Sequence, residues 1–176
     1  MPKKPQQLAK LSRPRLYDAL PRERLFRLLD EKRRHPVIWV SGPPGAGKTT
    51  LIGSYLEARE SRGIWYQVDA GDRDVSTFFF YLTESARPYR SNSPLPLLTP
   101  EYLPDLPGFS RRYFRDLFQR VPEGGMVVLD NFHELPPDSQ LLQVMSVAFR
   151  EIPAETNVVI ISRSEPPEGF AAHLAA

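Results

Sequence analysis

The chain has 176 residues, 41% of them hydrophobic, which is enough to bury one sizeable core and predicts a single domain. Its formal net charge of +2 is too small to indicate a nucleic-acid-binding surface, and its apolar runs are far shorter than the roughly 20 residues of a membrane-spanning helix. The chain has no cysteine, which excludes disulfides, and Met1 is not followed by the apolar stretch of a secretory signal. We therefore expect a globular, cytoplasmic protein that does not bind membranes.

Basic residues are concentrated at the N-terminus. Residues 1–35 carry 11 Lys or Arg against 4 Asp or Glu, a balance of +7 that leaves −5 for the rest of the chain. A solvated helix face and a basic arm that contacts DNA or a phosphate both fit this pattern. We predict a basic arm over residues 1–20 and a nucleotide-binding domain over residues 21–176.

The first predicted elements are a helix and a strand. Residues 21–30 place Leu25, Leu28 and Leu29 at helical spacing with charges between them. Residues 37–40 form a short apolar run that ends in a glycine-rich turn, which is typical of a buried strand feeding a loop.

The same alternation continues after the turn. Residues 49–60 predict a helix, Gly63 ends it, and residues 64–68 predict a second strand. Asp74 is placed to cap a following helix that contains residues 78–82.

A proline-rich stretch interrupts the pattern. Six prolines stand at positions 88, 94, 96, 100, 104 and 107, which excludes a long helix or a central strand and predicts an irregular surface loop. A functional or mobile loop and a family-specific insertion both remain open. Residues 111–120 then predict a helix whose arginines at 111, 112, 115 and 120 form a solvated face.

Two more strands complete the predicted sheet. Residues 126–130 and 157–161 are continuous apolar runs, and a helix over about residues 138–150 separates them. Strands that alternate with helices predict an α/β fold in which helices cover both faces of a parallel sheet.

Residues 42–49 read G-P-P-G-A-G-K-T, a complete phosphate-binding loop between a predicted strand and a predicted helix. Its glycines let the backbone approach phosphate closely, and the following helix start favours negative charge. Lys48 is expected to reach the β and γ phosphates, the Thr49 hydroxyl to bind magnesium, and Thr50 to contact the α phosphate. The motif predicts that the chain binds ATP or ADP with Mg²⁺.

Asp130 follows an apolar strand and is the candidate Walker B residue, a second magnesium ligand, although a carboxylate there could also just cap a turn. One strand, around Trp65, intervenes in sequence between the phosphate-loop strand and Asp130. This suggests the P-loop branch that has an extra strand between those two, as in AAA+ ATPases.

Arg163, after the fourth strand, is either a sensor of the γ phosphate or a surface arginine. No lysine follows Lys48, so the N/T-K-x-D motif that selects guanine is missing and adenine is favoured.

Several segments together resemble the signal-transduction ATPases with numerous domains (STAND), in particular the MalT-type ATP-dependent transcriptional activators. The segments that carry the resemblance are residues 10–14 (KLSRP), 22–25 (RERL), 42–49, 65–69 (WYQVD) with Asp72, 128–133 (VLDNFH) and 161–163 (ISR).

The resemblance implies a switch in signal-dependent transcription regulation. ADP would hold a resting form, ATP with an inducer would allow self-association in the full-length protein, and hydrolysis would reset it. DNA would be bound only by domains outside this chain. Arg22 and Glu23 match the segment that contacts adenine in the family, whereas we interpret Asp69 and Asp72 first as turn and cap residues.

The chain departs from the family at two points. The second acidic residue of the Walker B run is replaced by Asn131, whose amide cannot accept a proton, so Glu134 is the nearest candidate base and hydrolysis is expected to be slow. Residues 170–176 predict a helix that is cut short, so we expect a fragment that ends before the winged-helix and sensor regions.

The predicted nucleotide-binding residues are Arg22, Glu23, Gly42, Pro43, Pro44, Gly45, Ala46, Gly47, Lys48, Thr49 and Thr50. The predicted catalytic residues are Lys48, Asp130, Asn131, Glu134 and Arg163, and the predicted magnesium ligands are Thr49 and Asp130. Two alternatives remain: a small-molecule kinase that uses the arginines of residues 111–120 as a phosphate-clamping lid, and an AAA+-like mechanical ATPase.

Overall fold

The computed structural model describes residues 9–16, 20–89 and 93–174, without the side chain of residue 172. The strands are β1 (Val37–Val40), β2 (Gly63–Gln67), β3 (Met126–Asp130) and β4 (Asn157–Ile161). The α-helices are α1 (Glu23–Lys32), α2 (Lys48–Ala58), α3 (Val75–Ser85), α4 (Leu106–Phe118), α5 (Gln140–Arg150) and α6 (Ala171–Leu174). Short 3₁₀ turns cover Ala9–Leu11, Ala70–Arg73, Pro100–Asp105, Phe132–Glu134 and Glu168–Phe170.

The four strands form one parallel sheet in the order β1-β4-β3-β2. An extra strand does separate β1 from β3, as expected, but this strand is β4. The strand around Trp65 lies at the far edge. The carboxyl ends of β1, β4 and β3 therefore lie side by side, at what we call the carboxyl edge of the sheet.

Helices cover both faces of the sheet, as the continuous apolar strands predict. Ile64 and Tyr66 of β2 point into the core that contains α3, α4 and α5, whereas Trp65 points into the core with α1 and α2. This alternation is the period of two that a β-strand imposes on its side chains. None of the helices in the described part of the chain is both long and apolar enough to cross a membrane.

Two helix starts agree with the sequence. Asp74 caps α3 by accepting a hydrogen bond from Thr77 N at 2.9 Å. The helix predicted from about residue 138 begins at Gln140, and Ser139 is its cap.

The proline-rich stretch is more ordered at its end than predicted. Pro100–Asp105 is a 3₁₀ turn and α4 begins at Leu106, before the expected position 111. Pro107 is tolerated because the first N–H groups of a helix have no partner within it, and Asp105 Oδ1 accepts from Gly108 N at 3.0 Å. Residues 90–92 lie outside the described residues.

The described part of the predicted arm packs against the domain. Lys10 Nζ lies 2.8 Å from Asp72 Oδ1 and 2.8 Å from Asp69 Oδ2. Asp69 also accepts from Gly71 N at 2.8 Å, and its own N–H donates to Asp72 Oδ2 at 2.9 Å. The turn-and-cap interpretation of both aspartates is thus confirmed, with an ion pair to the arm in addition. The remaining arm residues, 1–8 and 17–19, lie outside the described residues.

Candidate functional site

A cleft of about 320 Å³ opens at the carboxyl edge of the sheet, between the loop of residues 42–49 and the ends of β3 and β4. We call it the phosphate cleft. Its lining residues are Pro44, Gly45, Gly47, Lys48, Thr49, Thr50, Asp130, Asn131, His133, Ile161, Ser162 and Arg163. Nine of these twelve were predicted as site residues from the sequence, and the parallel strand order brings them together.

The loop of residues 42–49, the phosphate loop, is shaped by its glycines. Gly45 and Gly47 have φ of 75° and 76°, which residues with a side chain rarely adopt. Helix α2 begins at Lys48, so the unpaired N–H groups of its first turn lie at the cleft. Lys48 Nζ donates to Gly42 O at 2.6 Å and to Pro43 O at 2.9 Å, which holds the ammonium over the loop.

Thr49 and Asp130 are in direct contact. The Thr49 hydroxyl donates to Asp130 Oδ1 at 3.2 Å, although the two residues are 81 positions apart, and Asn131 N donates to the same oxygen at 2.9 Å. Burial raises the pKa of the Asp130 carboxyl above its usual value, while the hydrogen bond from Thr49 opposes this shift. The two predicted magnesium ligands thus form one polar pair inside the phosphate cleft.

The segment after β3 places its polar residues differently. Asn131 has a left-handed backbone with φ of 59°, which asparagine tolerates, and it lines the phosphate cleft. Glu134 does not line it: its side chain is 46% exposed, and its Oε1 lies 3.4 Å from His133 Nε2.

His133 lines the phosphate cleft and was not among the predicted site residues. Its two ring nitrogens are inaccessible to solvent and make no hydrogen bond. Burial and the nearby positive charge of Arg163 lower the pKa of its imidazole, which favours the neutral form of the ring. Its position two residues after Asn131, in the same short segment, was the available sequence signal.

Arg163 lies two residues after the end of β4 and lines the phosphate cleft together with Asp130, as predicted from the strand ends. The segment that carries it, residues 162–165, is called the sensor turn below. Trp39 Nε1 donates to Ser164 O at 3.0 Å, and Ser41 Oγ donates to Glu165 Oε1 at 2.7 Å. The turn is thus joined to the end of β1.

A second depression of about 520 Å³ lies on the other side of the phosphate loop, between α1 and β1. We call it the apolar groove, because Leu25, Leu28 and Leu29 of α1 and Val40 of β1 line it. Lys48 lines both the groove and the phosphate cleft.

Only one of the two residues predicted to contact adenine lines the apolar groove. Arg22 lines the apolar groove, and its Nη1 donates to Ala46 O at 3.4 Å. The Glu23 carboxylate lies 3.9 Å from Arg59 Nη2 and lines neither the groove nor the cleft.

The arginines on and after α4 do not line the phosphate cleft. Arg111 and Arg115 lie 3.5 Å and 3.0 Å from the Glu151 carboxylate, and the Arg112 guanidinium stacks over the Tyr102 ring at 5.1 Å. These positions do not support a phosphate-clamping lid of the kind that the kinase alternative requires.

Comparison with known proteins gives consistent similarities. Residues 19–98 match the family described as Nephrocystin 3, N-terminal. The chain is 30% identical over 169 residues to the HTH-type transcriptional regulator MalT of Vibrio cholerae, and 29% identical over 170 residues to MalT of Vibrio campbellii. Each of these matches covers 93% of this chain but 18% of the relative, so the chain spans less than a fifth of the length of these regulators.

Among solved structures, a Walker-type ATPase of Pyrococcus abyssi superposes with a TM-score of 0.53 at 16% identity. The superposition covers 83% of this chain and 46% of that one. Together with the parallel sheet and the phosphate loop, it shows that the chain has the P-loop NTPase fold.

Proposed function

We propose that this chain is the ATP- and ADP-binding switch module of a multidomain, signal-responsive transcriptional regulator. The observation that carries the proposal is the phosphate cleft. There Thr49, the last residue of a complete phosphate loop, donates a hydrogen bond to Asp130. The assignment to a transcriptional regulator rests on the similarity to MalT over 93% of the chain.

The residues of the phosphate loop fit the phosphates of a nucleotide. The left-handed glycines and the start of α2 turn backbone N–H groups toward the cleft, which favours an anion there. The Lys48 ammonium donates hydrogen bonds to carbonyl oxygens of its own loop. Phosphate oxygens are also hydrogen-bond acceptors, so they could take the place of these carbonyls. Lys48 would pair with the β and γ phosphates, and Thr50 with the α phosphate.

Thr49 and Asp130 fit a magnesium ion shared with a nucleotide. One hydroxyl and one carboxylate form the small set of protein ligands that Mg²⁺ uses when phosphates and water complete its shell. Such an ion neutralises phosphate charge. The two side chains are already in contact at 3.2 Å, so both can reach one ion without a change in the fold.

The apolar groove is the candidate site for the base. It adjoins the phosphate loop through Lys48, aliphatic side chains form much of its lining, and Arg22 and Trp39 also line it. Adenine is the favoured base because the chain has no guanine-selecting motif. The position of Glu23 beside Arg59 gives its predicted contact with adenine no support.

Hydrolysis is proposed to be slow. Asn131 occupies the cleft where a carboxylate base would be useful, and its amide cannot accept a proton. Glu134 is exposed and lies outside the cleft lining, so it would have to move to activate water.

The wider roles belong to a longer protein. DNA binding would come from domains outside this chain, and ATP-dependent self-association would occur in the full-length regulator. Neither role is assigned to the residues described above.

Competition binding tests the nucleotide proposal. A fluorescent ATP analogue should be displaced by ADP and ATP at much lower concentrations than by GTP. Displacement by GTP as effective as that by ADP would contradict the adenine preference. Transfer of the γ phosphate to a small-molecule acceptor, rather than to water, would favour the kinase alternative.

A further inference from the structure

The sensor turn and the phosphate loop are joined by two hydrogen bonds. Trp39 and Ser41 lie at the end of β1, directly before the phosphate loop, and they donate to Ser164 O at 3.0 Å and to Glu165 Oε1 at 2.7 Å. Both acceptors follow Arg163 in the chain. A change in the position of the sensor turn relative to the loop would break both bonds.

The backbone on either side of Arg163 is also fixed within the turn. Ser162 is 1% exposed, and its hydroxyl accepts a hydrogen bond from Ser164 N at 3.2 Å. The Arg163 side chain itself is exposed and lines the phosphate cleft. An exposed side chain thus projects from a backbone that is held by hydrogen bonds, so less order has to be gained when it meets an anion.

Trp39 also contacts the segment that follows β3. Its indole packs edge-on against the Phe132 ring, with ring centroids 5.5 Å apart. Phe132 stands between Asn131 and His133, both of which line the phosphate cleft. One side chain from β1 thus supports both cleft segments that follow β3 and β4.

We propose that Trp39 and Glu165 are positioning residues that hold Arg163 at a set place relative to the phosphate loop, so that it distinguishes ATP from ADP. The proposal rests on the proposed function, because it assumes that nucleotide phosphates occupy the cleft. An arginine on the γ-phosphate side of the cleft contributes to binding ATP but not ADP. Loosening the turn should therefore weaken ATP binding selectively.

Two substitutions remove the joining bonds separately. Trp39→Phe keeps an aromatic ring against Phe132 but has no N–H to donate, and Glu165→Ala removes the acceptor of Ser41. Glu165 is exposed, so its truncation should leave the fold intact even if Trp39→Phe does not fold. Trp65→Phe is the matched control, because the Trp65 indole N–H has no hydrogen-bond partner and the residue lies outside the cleft.

The measurement is equilibrium binding of ATP and of ADP to each variant of the chain. Glu165→Ala should weaken ATP binding about 2- to 10-fold, the range for one hydrogen bond, while ADP binding stays within about twofold, because Glu165 lines neither the phosphate cleft nor the apolar groove. Trp39 also lines the apolar groove, so Trp39→Phe should weaken ATP binding about 2- to 10-fold more than it weakens ADP binding. Trp65→Phe should change neither affinity. Arg163→Ala should weaken ATP binding as well, and adding Glu165→Ala to it should cause no further loss, because Glu165 acts through Arg163.

Equal losses for ATP and ADP, no loss, or additive losses in the double variant would each overturn the positioning role while leaving nucleotide binding established. A wild-type chain that binds neither nucleotide would instead overturn the proposed function, and this inference with it.

Discussion

Lys10 Nζ lies 2.8 Å from Asp72 Oδ1, and this joins the N-terminal arm to a carboxylate that is fully buried. The same oxygen accepts a hydrogen bond from the Tyr66 hydroxyl at 2.7 Å. The contact lies just after β2, where Val68 N donates to Asp130 O at 2.8 Å. The arm is therefore held by an ion pair near the end of β3, the strand that carries Asp130, the candidate magnesium ligand.

Lys10→Met should strongly destabilise the chain, because it leaves the buried Asp72 carboxylate without its cation. Breaking such a pair from one side typically costs about 3–5 kcal/mol of the free energy of unfolding. Urea denaturation measures the change, and Lys32→Met, at an exposed lysine on α1, is the control.

A second substitution identifies the cause. Adding Asp72→Asn to Lys10→Met removes the unpaired charge, so the double variant should be more stable than Lys10→Met alone. A double variant that is less stable would show that the Asp72 carboxylate is stabilised mainly by its hydrogen bonds from the Tyr66 hydroxyl and Asp69 N rather than by the charge of Lys10.

Lys48→Ala should weaken nucleotide binding and leave the fold intact, because the lysine contacts loop carbonyls rather than the core. Loss of a charge-assisted contact typically costs about 1.5–3 kcal/mol, roughly 10- to 150-fold in affinity. Titration with a fluorescent ATP analogue and thermal unfolding test the two parts. Arg27→Ala, an exposed cation on α1, should change neither, whereas an unfolded Lys48→Ala chain would contradict the assignment.

Asn131→Asp should raise ATP hydrolysis with little change in ATP affinity, because it restores a carboxylate in the phosphate cleft. General-base catalysis typically contributes about 10²–10⁴-fold, so partial recovery is measurable by phosphate release. If Glu134 is the base, Asn131→Asp will have little effect and Glu134→Gln will abolish turnover. A robust wild-type rate that neither substitution changes would place water activation elsewhere.

Asp130→Asn should stabilise the chain at neutral pH in the absence of nucleotide and magnesium. Because burial raises the pKa of Asp130 in the folded state above the ordinary 3.8, the folded chain binds this proton more tightly, and stability falls as pH rises between the two values. Asparagine avoids this loss and can still accept from Thr49.

The gain from Asp130→Asn should therefore be full at neutral pH and shrink as pH falls below the unfolded pKa. Thermal unfolding at neutral pH and below about pH 4 gives the comparison. The exposed Asp138→Asn is the control. A gain that grows toward acid pH would have the wrong sign for a buried carboxylate.

The sequence by itself determined the local features of this protein. The phosphate loop was readable because its chemistry needs glycines, a lysine and a threonine at fixed spacing along one turn. The strands were readable because burial on both faces requires continuous apolar runs, and the helices because burial of one face gives apolar residues a helical spacing. The start of α4 was missed because proline is permitted in a first helical turn, and this made a helix start resemble a loop.

Only the tertiary structure decided which distant residues meet. Strand order is set by packing between helices and sheet, so no spacing in the sequence could show that β4, rather than β2, separates β1 from β3. The same packing brings His133 into the phosphate cleft and leaves Glu134 outside its lining, although the two are adjacent in the chain. The contacts of Lys10 with Asp72 and of Trp39 with Ser164 join residues 62 and 125 positions apart, and at such separations only the folded chain determines contact.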